Sequence, residues 1–179
     1  MIIVMGVPGA GKSSVLAGIK GHEIVNYGTL MFEIAKEKFG IGDRDQMRKL
    51  PIGQQKEVQA TVAERLSSMG GKVVLDTHCS IKTPKGYLPG LPYSLLEKLD
   101  VEGLVLITAK PEDIAARRSV DPGRVRDEEG LEELREHDLI NKALLASYAA
   151  HRGAPALIIY NAQGRLAEAV SQLKELFGE

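Results

Sequence analysis

A glycine-rich segment near the N terminus has the residue types and the spacing that hold a phosphate group. The segment Gly6–Ser13 reads GVPGAGKS and fits the pattern G-x-x-x-x-G-K-[ST] at every position. Its glycines allow the backbone to curve until several N–H groups converge on one anion. Lys12 can then reach the terminal phosphates, and the Ser13 hydroxyl can bind Mg²⁺. The segment therefore predicts that the chain binds a nucleoside triphosphate together with Mg²⁺.

Asp76 is a second residue with the position and the chemistry to serve a nucleotide site. It ends a run that reads KVVLD, after which the chain continues as TH. A carboxylate at the carboxyl end of a buried strand can hold Mg²⁺ or the water molecules around it. The alternative is an aspartate that caps a helix or closes a turn. Asp76 and Ser13 are therefore the predicted metal ligands.

A group of arginines lies in the second half of the chain, partly in the segment SVDPGRVRDEEG. Its members are Arg117, Arg118, Arg124 and Arg126. Guanidinium groups stabilise negative charge on the oxygens of a phosphoryl group in transfer, and a mobile segment could close over the site and expel water. The alternative is a solvated loop in which the arginines pair with their acidic neighbours.

A second basic group lies in the first half of the chain, in GDRDQMRKLP and HCSIKTPKGY. Its members are Arg44, Arg48, Lys49, Lys82 and Lys85. Both segments follow predicted strands, and loops after parallel strands lie at the same edge of a sheet as the glycine-rich segment. Two basic groups beside one triphosphate site favour an acceptor that itself carries phosphate, such as a nucleotide.

The elements that must position these residues follow from the pattern of apolar residues. Short apolar runs predict strands at Met1–Met5, Glu23–Tyr27, Lys72–Asp76, Gly103–Thr108 and Ala156–Tyr160. Segments of helical period lie between them, at Ser13–Lys20, Thr29–Lys38, 51–69, Tyr93–Leu99, Pro111–Arg118, Glu132–His151 and Leu166–Phe177. Uninterrupted apolar strands are typical of parallel sheets buried on both faces. The predicted fold class is α/β, a three-layer sandwich in which helices cover both faces of a five-stranded parallel sheet.

Two finer expectations accompany this assignment. The segment TPKGYLPGLP is rich in proline and glycine and is predicted to be a loop. In the long helix Glu132–His151, the apolar stripe is predicted to consist of Ile140, Ala143, Leu144, Ser147 and Tyr148.

The composition limits the class of protein. The 179 residues suit one domain, and a net charge of -1 provides no general positive field for long nucleic acid. No apolar run approaches the length of about 20 residues that a membrane span needs. The chain has a single cysteine, Cys79, which cannot form a disulfide within the chain and is expected to be a small buried residue rather than a nucleophile. We therefore expect a cytoplasmic protein that binds neither a membrane nor long nucleic acid.

The segments GVPGAGKSS, NYGTLMFEIA, DRDQMRKL, VVLDTH, IKTPKGYLPGLP and GRVRD resemble those of the archaeal-type adenylate kinases, which are P-loop nucleoside monophosphate kinases. They span Gly6–Asp127 in family order, and DRDQMRKL with TPKGYLPGLP is far more specific than the first segment alone. The resemblance implies the Mg²⁺-dependent reaction ATP + AMP = 2 ADP and a homotrimer. It also implies a single kinase domain over residues 1–179, with a monophosphate-binding insert near 27–70 and a short lid near 119–130.

The resemblance further implies roles for individual residues. The ATP phosphates would be held by Gly6, Val7, Pro8, Gly9, Ala10, Gly11, Lys12, Ser13 and Ser14. The monophosphate site would contain Thr29, Arg48 and Lys82. The catalytic side chains around the transferred phosphoryl group would be those of Lys12, Arg117, Arg124 and Arg126.

Two further features come from the same resemblance. Bacterial and vertebrate adenylate kinases carry D-G-F-P-R after the third strand, whereas this chain reads Asp76-Thr77-His78-Cys79-Ser80, with no arginine. Lys82 is therefore assigned the role of that arginine. The segment Asn161–Leu166 follows the last predicted strand, where such kinases cover the adenine of ATP.

Two other functions fit the same residues. The chain could phosphorylate another monophosphate, such as CMP or UMP, because base choice depends on a few side chains that the sequence does not place. It could also be an adenylate-kinase-like ATPase that assists ribonucleoprotein assembly, with TPKGYLPGLP contacting a partner. A GTPase is not expected, because the chain has no N-K-x-D segment to select guanine.

Overall fold

The computed structural model describes residues 1–70, 72–120 and 130–178. Its strands are β1 (Ile2–Met5), β2 (Glu23–Asn26), β3 (Val73–Thr77), β4 (Ser80–Thr83), β5 (Gly86–Pro89), β6 (Gly103–Thr108) and β7 (Ala156–Tyr160). Five of them form one parallel sheet in the order β2-β3-β1-β6-β7. The five predicted strands are these five, within a residue or two at each end.

The helices lie between the strands along the chain. They are α1 (Lys12–Leu16), α2 (Tyr27–Phe39), α3 (Arg44–Arg48), α4 (Ile52–Ser68), α5 (Tyr93–Leu96), α6 (Pro111–Ser119), α7 (Leu131–Arg152) and α8 (Leu166–Phe177). None of the helices in the described ranges is long and apolar enough to cross a membrane.

Two apolar clusters cover the two faces of the sheet. Because successive side chains of a strand point to opposite faces, Ile3 and Met5 of β1 join the cluster that holds α2, α4 and α5. Ile2 and Val4 join the other cluster, which holds α1, α6 and α8. All four β1 side chains are buried, as an uninterrupted apolar strand requires. The fold is therefore the predicted three-layer α/β sandwich.

The segment predicted as a loop, TPKGYLPGLP, contains β5 and the last residue of β4, which pair as an antiparallel hairpin. Lys82 pairs with Tyr87 across it, and the turn is closed by Thr83, whose hydroxyl donates to the Gly86 carbonyl at 2.8 Å. Proline and glycine favour loops, but here Pro84 lies in the turn and Pro89 ends the second strand, where neither interrupts the pairing. The loop prediction was wrong for this reason.

The buried face of α7 also differs from the predicted stripe. It consists of Leu134, His137, Asn141, Leu145 and Tyr148. The polar members face the hairpin and its neighbours: Ser80 donates to Asn141 Oδ1 at 2.6 Å, and the His137 ring lies 5.0 Å from that of Tyr87. Hydrophobicity alone could not select a face that is buried partly through polar partners.

The Cys79 side chain is buried beneath this helix, and its thiol donates to the Asn141 carbonyl at 3.2 Å. Burial raises the pKa of the thiol to about 12, so the nucleophilic thiolate is absent at neutral pH. We expect Cys79 in the native protein to react with an aromatic disulfide reagent about 100-fold more slowly than in the unfolded chain. Release of the coloured thiolate measures both rates, and equal rates with and without denaturant would contradict the burial.

Candidate active site

The glycine-rich segment forms the connection between β1 and α1. Gly9 and Gly11 have φ angles of 91° and 83°, in the left-handed region that side chains disfavour. The Ala10 N–H donates to the Val7 carbonyl at 3.1 Å and closes a turn with Pro8 and Gly9 at its centre. The connection is thus a tight curve at the carboxyl edge of the sheet, which is the geometry predicted for a phosphate-binding loop.

Side chains from distant elements hold the carbonyl groups of this loop. Arg118 Nε donates to the Pro8 carbonyl at 2.8 Å, and Asn161 Nδ2 donates to the Ala10 carbonyl at 2.9 Å. In a trans peptide the C=O and the following N–H point in opposite directions. Fixing these two carbonyls therefore directs the N–H groups of Gly9 and Gly11 towards the opposite side, where an anion would bind.

Arg117 belongs to the same arrangement. Its guanidinium donates to the Ala10 carbonyl at 3.3 Å, to the Asn161 carbonyl at 2.9 Å and to Gln163 Oε1 at 3.3 Å. The predicted catalytic Arg117 is thus placed beside the phosphate loop, against backbone carbonyls. The other two predicted catalytic arginines, Arg124 and Arg126, lie outside the described residues, as does most of the predicted lid.

Lys12 and Asp76 form an ion pair next to the loop. Both side chains are only 11% exposed; Lys12 is the first residue of α1, and Asp76 lies near the end of β3, which pairs with β1. Burial lowers the pKa of the Lys12 ammonium to about 8. The adjacent Asp76 carboxylate favours the charged form, so Lys12 carries its charge at neutral pH. A cation is thereby held beside Asp76 at the start of α1.

The second carboxylate oxygen of Asp76 takes part in a series of hydrogen bonds that extends from the loop to α2. Asn26 Nδ2 donates to it at 2.8 Å, and Asn26 Oδ1 accepts from the Thr29 N–H at 2.9 Å. The Thr29 hydroxyl in turn accepts from Arg44 Nη2 at 2.9 Å. Lys12, Asp76, Asn26, Thr29 and Arg44 thus form one continuous series of contacts, called the polar chain below. It runs from the phosphate loop to the segment predicted to bind a second phosphorylated ligand.

The sequence does not assign two members of the polar chain to the site. Nothing in the local sequence marks Asn26 as a site residue, because its contact depends on pairing with a residue that is 50 positions away. The sequence places Arg44 in the second basic group, but it predicts Arg48 as the arginine of the monophosphate site. Arg48 instead pairs with Asp45 at 3.0 Å, and its side chain is 74% exposed.

The remaining predicted residues lie outside the polar chain. Lys82, on β4, pairs with Glu133 at 3.1 Å and lowers the pKa of that carboxyl group. His78 Nδ1 lies 3.3 Å from the Gly6 carbonyl, so the histidine is against the phosphate loop. Ser13 and Ser14 are exposed in the first turn of α1.

Ser13 and Asp76 have the donor chemistry that Mg²⁺ prefers. Mg²⁺ binds hard oxygen ligands and usually keeps several water molecules, with one or two protein oxygens and the substrate phosphates completing its shell. A hydroxyl at the start of α1 and a carboxylate in contact with the neighbouring Lys12 match that requirement. The residues present therefore fit a magnesium ion.

The chain is similar to known proteins over most of its length. The family model described as "AAA domain" matches residues 5–135. The chain is 43% identical to adenylate kinase of Methanopyrus kandleri over 98% of this chain and 96% of that protein. It is 45% identical to adenylate kinase of Thermoplasma acidophilum over 91% of this chain and 90% of that protein. It is 41% identical to adenylate kinase of Methanocaldococcus jannaschii over 98% of this chain and 97% of that protein.

Solved structures share the fold. Shikimate kinase from Bacteroides thetaiotaomicron superposes with a TM-score of 0.61 at 15% identity, covering 99% of this chain and 98% of that one. Shikimate kinase from Acinetobacter baumannii, in complex with shikimate, gives 0.57 at 20% identity, with coverage of 98% and 91%. At these identities the likeness concerns the fold alone.

The loop geometry predicts different effects at two glycines. A Cβ at Gly11 would lie 2.2 Å from Asn161 Nδ2, whereas one at Gly21 would meet nothing within 4 Å, although both have positive φ. Each alanine substitution should cost about 1–2 kcal/mol of unfolding free energy through backbone strain. Only Gly11→Ala should also weaken ATP binding, by about tenfold or more, because it displaces the side chain that holds the loop.

Denaturant unfolding and calorimetric titration with ATP measure the two effects. Gly21→Ala is the matched control for strain without displacement. Equal ATP affinities for the two variants would contradict the role assigned to the Asn161 contact.

Proposed function

The chain belongs to the archaeal-type adenylate kinases, and we propose that it transfers the phosphoryl group between ATP and AMP across the polar chain described above. It is a phosphotransferase, and its reaction is ATP + AMP = 2 ADP. The observation that supports this arrangement is the continuity of contacts from Lys12 to Arg44. A site for two nucleotides needs residues for both in fixed relation, and the polar chain provides them.

The proposed domain organisation follows the same division. Residues 1–179 form one kinase domain. The insert near 27–70 contains α2, α3 and α4 and serves the monophosphate, while the segment near 119–130 serves as the lid. Membership of the family also supports the expectations of a homotrimer and of a cytoplasmic location, which stay predictions.

The donor half of the site is the loop from Gly6 to Ser14. Its backbone N–H groups would bind the ATP phosphates, and Lys12 would leave Asp76 to contact the terminal ones. Ser13 and Asp76 would hold Mg²⁺, which neutralises charge on the phosphates as the transfer proceeds. The nitrogen donors of Arg117, Arg118 and Asn161 keep the loop carbonyls turned away from this anion.

The acceptor half is the segment after β2. Thr29 and Arg44 are in contact at 2.9 Å, so they form one polar surface at the start of α2. We assign the AMP phosphate to this surface, with Arg48 and Lys82 as further basic residues. Arg48 would have to leave Asp45, and Lys82 would have to leave Glu133, before either could reach a phosphate.

The transfer itself needs no general base. The AMP phosphate is already an anionic nucleophile, so the protein acts by positioning and by charge stabilisation. Lys12, Arg124, Arg126 and Arg117 are the proposed sources of positive charge around the phosphoryl group, and Arg117 would first have to leave the Ala10 and Asn161 carbonyls. Exclusion of water by the lid would keep ATP from being hydrolysed.

A panel of acceptors tests the specificity. AMP, CMP, UMP and GMP are compared in a coupled assay of ADP formation, and AMP should give the highest kcat/KM. Equal or better values with CMP would replace the assignment with that of a different monophosphate kinase. ATP hydrolysis that needs no acceptor and is stimulated by a protein partner would favour the assembly ATPase instead.

We expect Lys12→Ala to lower kcat by about 100-fold or more, because the variant lacks the ammonium that faces the transferred charge. Steady-state assays with saturating ATP and AMP measure the change. Lys38→Ala is the control: Lys38 pairs with Glu57 at 2.9 Å between α2 and α4, away from the site, and its kcat should stay close to that of the parent. Near-normal turnover by Lys12→Ala would overturn the proposed donor half.

Arg44→Ala and Arg48→Ala should both raise KM for AMP more than KM for ATP. The effect of Arg44→Ala should be the larger, about tenfold or more, because charged hydrogen bonds are strong and Arg44 already contacts Thr29. Arg48 forms an exposed ion pair with Asp45, so its replacement should raise KM for AMP by a smaller factor. A larger effect on KM for ATP in either variant would contradict the acceptor placement.

A further inference from the structure

Asn26 has no part in any role inherited from the family, yet it is the central member of the polar chain. We propose that Asn26 is a positioning residue, which fixes the Asp76 carboxylate on the donor side and the start of α2 on the acceptor side. The inference rests on the proposed function. It adds a residue that acts on the phosphates only through its neighbours.

Both polar atoms of the Asn26 side-chain amide form hydrogen bonds. Its oxygen accepts from the Thr29 N–H at 2.9 Å and lies 3.1 Å from the Thr29 hydroxyl. A backbone N–H can only donate, so the atom that faces it must be the amide oxygen. The amide nitrogen then necessarily faces Asp76, whose ionised carboxylate can only accept, at 2.8 Å. The chemistry of the partners thus fixes the orientation of the side chain.

The strand pairing supports the same geometry. Asn26 is the last residue of β2 and stands directly beside Asp76 in the parallel register with β3. It is also the residue that caps α2, through the bond from Thr29. One side chain therefore joins the end of β2, the end of β3 and the first turn of α2.

This position matters when ATP binds. Lys12 is the partner of the other Asp76 oxygen, and it must leave that oxygen to reach the phosphates. Without a second partner, the carboxylate would be free to turn about its terminal torsion. The Asn26 contact holds one oxygen in place, so the other keeps its direction towards the metal site.

Two other common capping residues cannot do both tasks. Serine caps helices about as well as asparagine, but its hydroxyl is too short to reach Asp76 as well. Aspartate would also cap α2, but it has no donor and would place a second carboxylate against Asp76. Asn26→Ser therefore separates the cap from the link to Asp76.

The first experiment compares Asn26→Ser with the parent and with Lys38→Ala, which alters α2 at its other end. A non-hydrolysable ATP analogue is titrated by calorimetry, with and without Mg²⁺. Binding without Mg²⁺ should be unchanged in all three proteins. The gain in affinity that Mg²⁺ brings should fall about tenfold or more in Asn26→Ser alone, as is usual when a residue that orients a metal ligand is lost.

Thermal unfolding provides the structural control. Asn26→Ser and Lys38→Ala should have Tm values close to that of the parent, because the serine retains the cap. A lower Tm with an unchanged Mg²⁺ response would mean that Asn26 only caps the helix, and would overturn the proposal.

A double-mutant cycle with Asp76→Asn tests whether Asn26 acts through that carboxylate. If it does, Asn26→Ser should change the Mg²⁺ response of the parent but not that of Asp76→Asn. Additive effects would overturn the proposal. Failure of the proposed function is distinguishable, since it would appear in the parent enzyme as a lack of ADP formation from ATP and AMP.

Discussion

The site depends on one buried ion pair, that of Lys12 with Asp76. Neither charge would be stable at this edge of the sheet without its partner, because a buried charge is costly unless it is paired. Asp76 lies opposite Val4 in the pairing of β3 with β1, and Lys12 begins α1, after the loop that follows β1. The pair therefore joins the end of the phosphate loop to the edge of β3, where the contacts towards Asn26 and α2 begin.

The surface that faces the anion consists largely of backbone, and the side chains that shape it lie behind it. Arg118 and Asn161 contact loop carbonyls, so their donors act on a phosphate only through the peptide groups. Such an arrangement fixes the direction of the Gly9 and Gly11 N–H groups and leaves their side of the loop open to an anion. Side chains from α6 and from the residue after β7 thus hold the loop in shape instead of reaching for the phosphate themselves.

The sequence predicted the parts of the molecule that are encoded locally. The five sheet strands are uninterrupted apolar runs, and the phosphate loop is a fixed spacing of glycines before a lysine. The hairpin of β4 and β5 was not predicted, because its prolines lie in the turn and at the end of β5, where they do not interrupt the strand pairing. Asn26 was missed because its partner is remote in the chain, and the buried face of α7 because Asn141 and His137 are covered through specific polar contacts. These features depend on tertiary pairing, which periodicity cannot express.

The contact between Asn161 and Ala10 joins residues 151 positions apart. During synthesis the phosphate loop leaves the ribosome early, but the side chain that supports it from behind emerges only near the end. This contact can therefore form only after β7 has been synthesised. A chain that ends before Asn161 would carry the whole glycine-rich motif without the side chain that holds the Ala10 carbonyl.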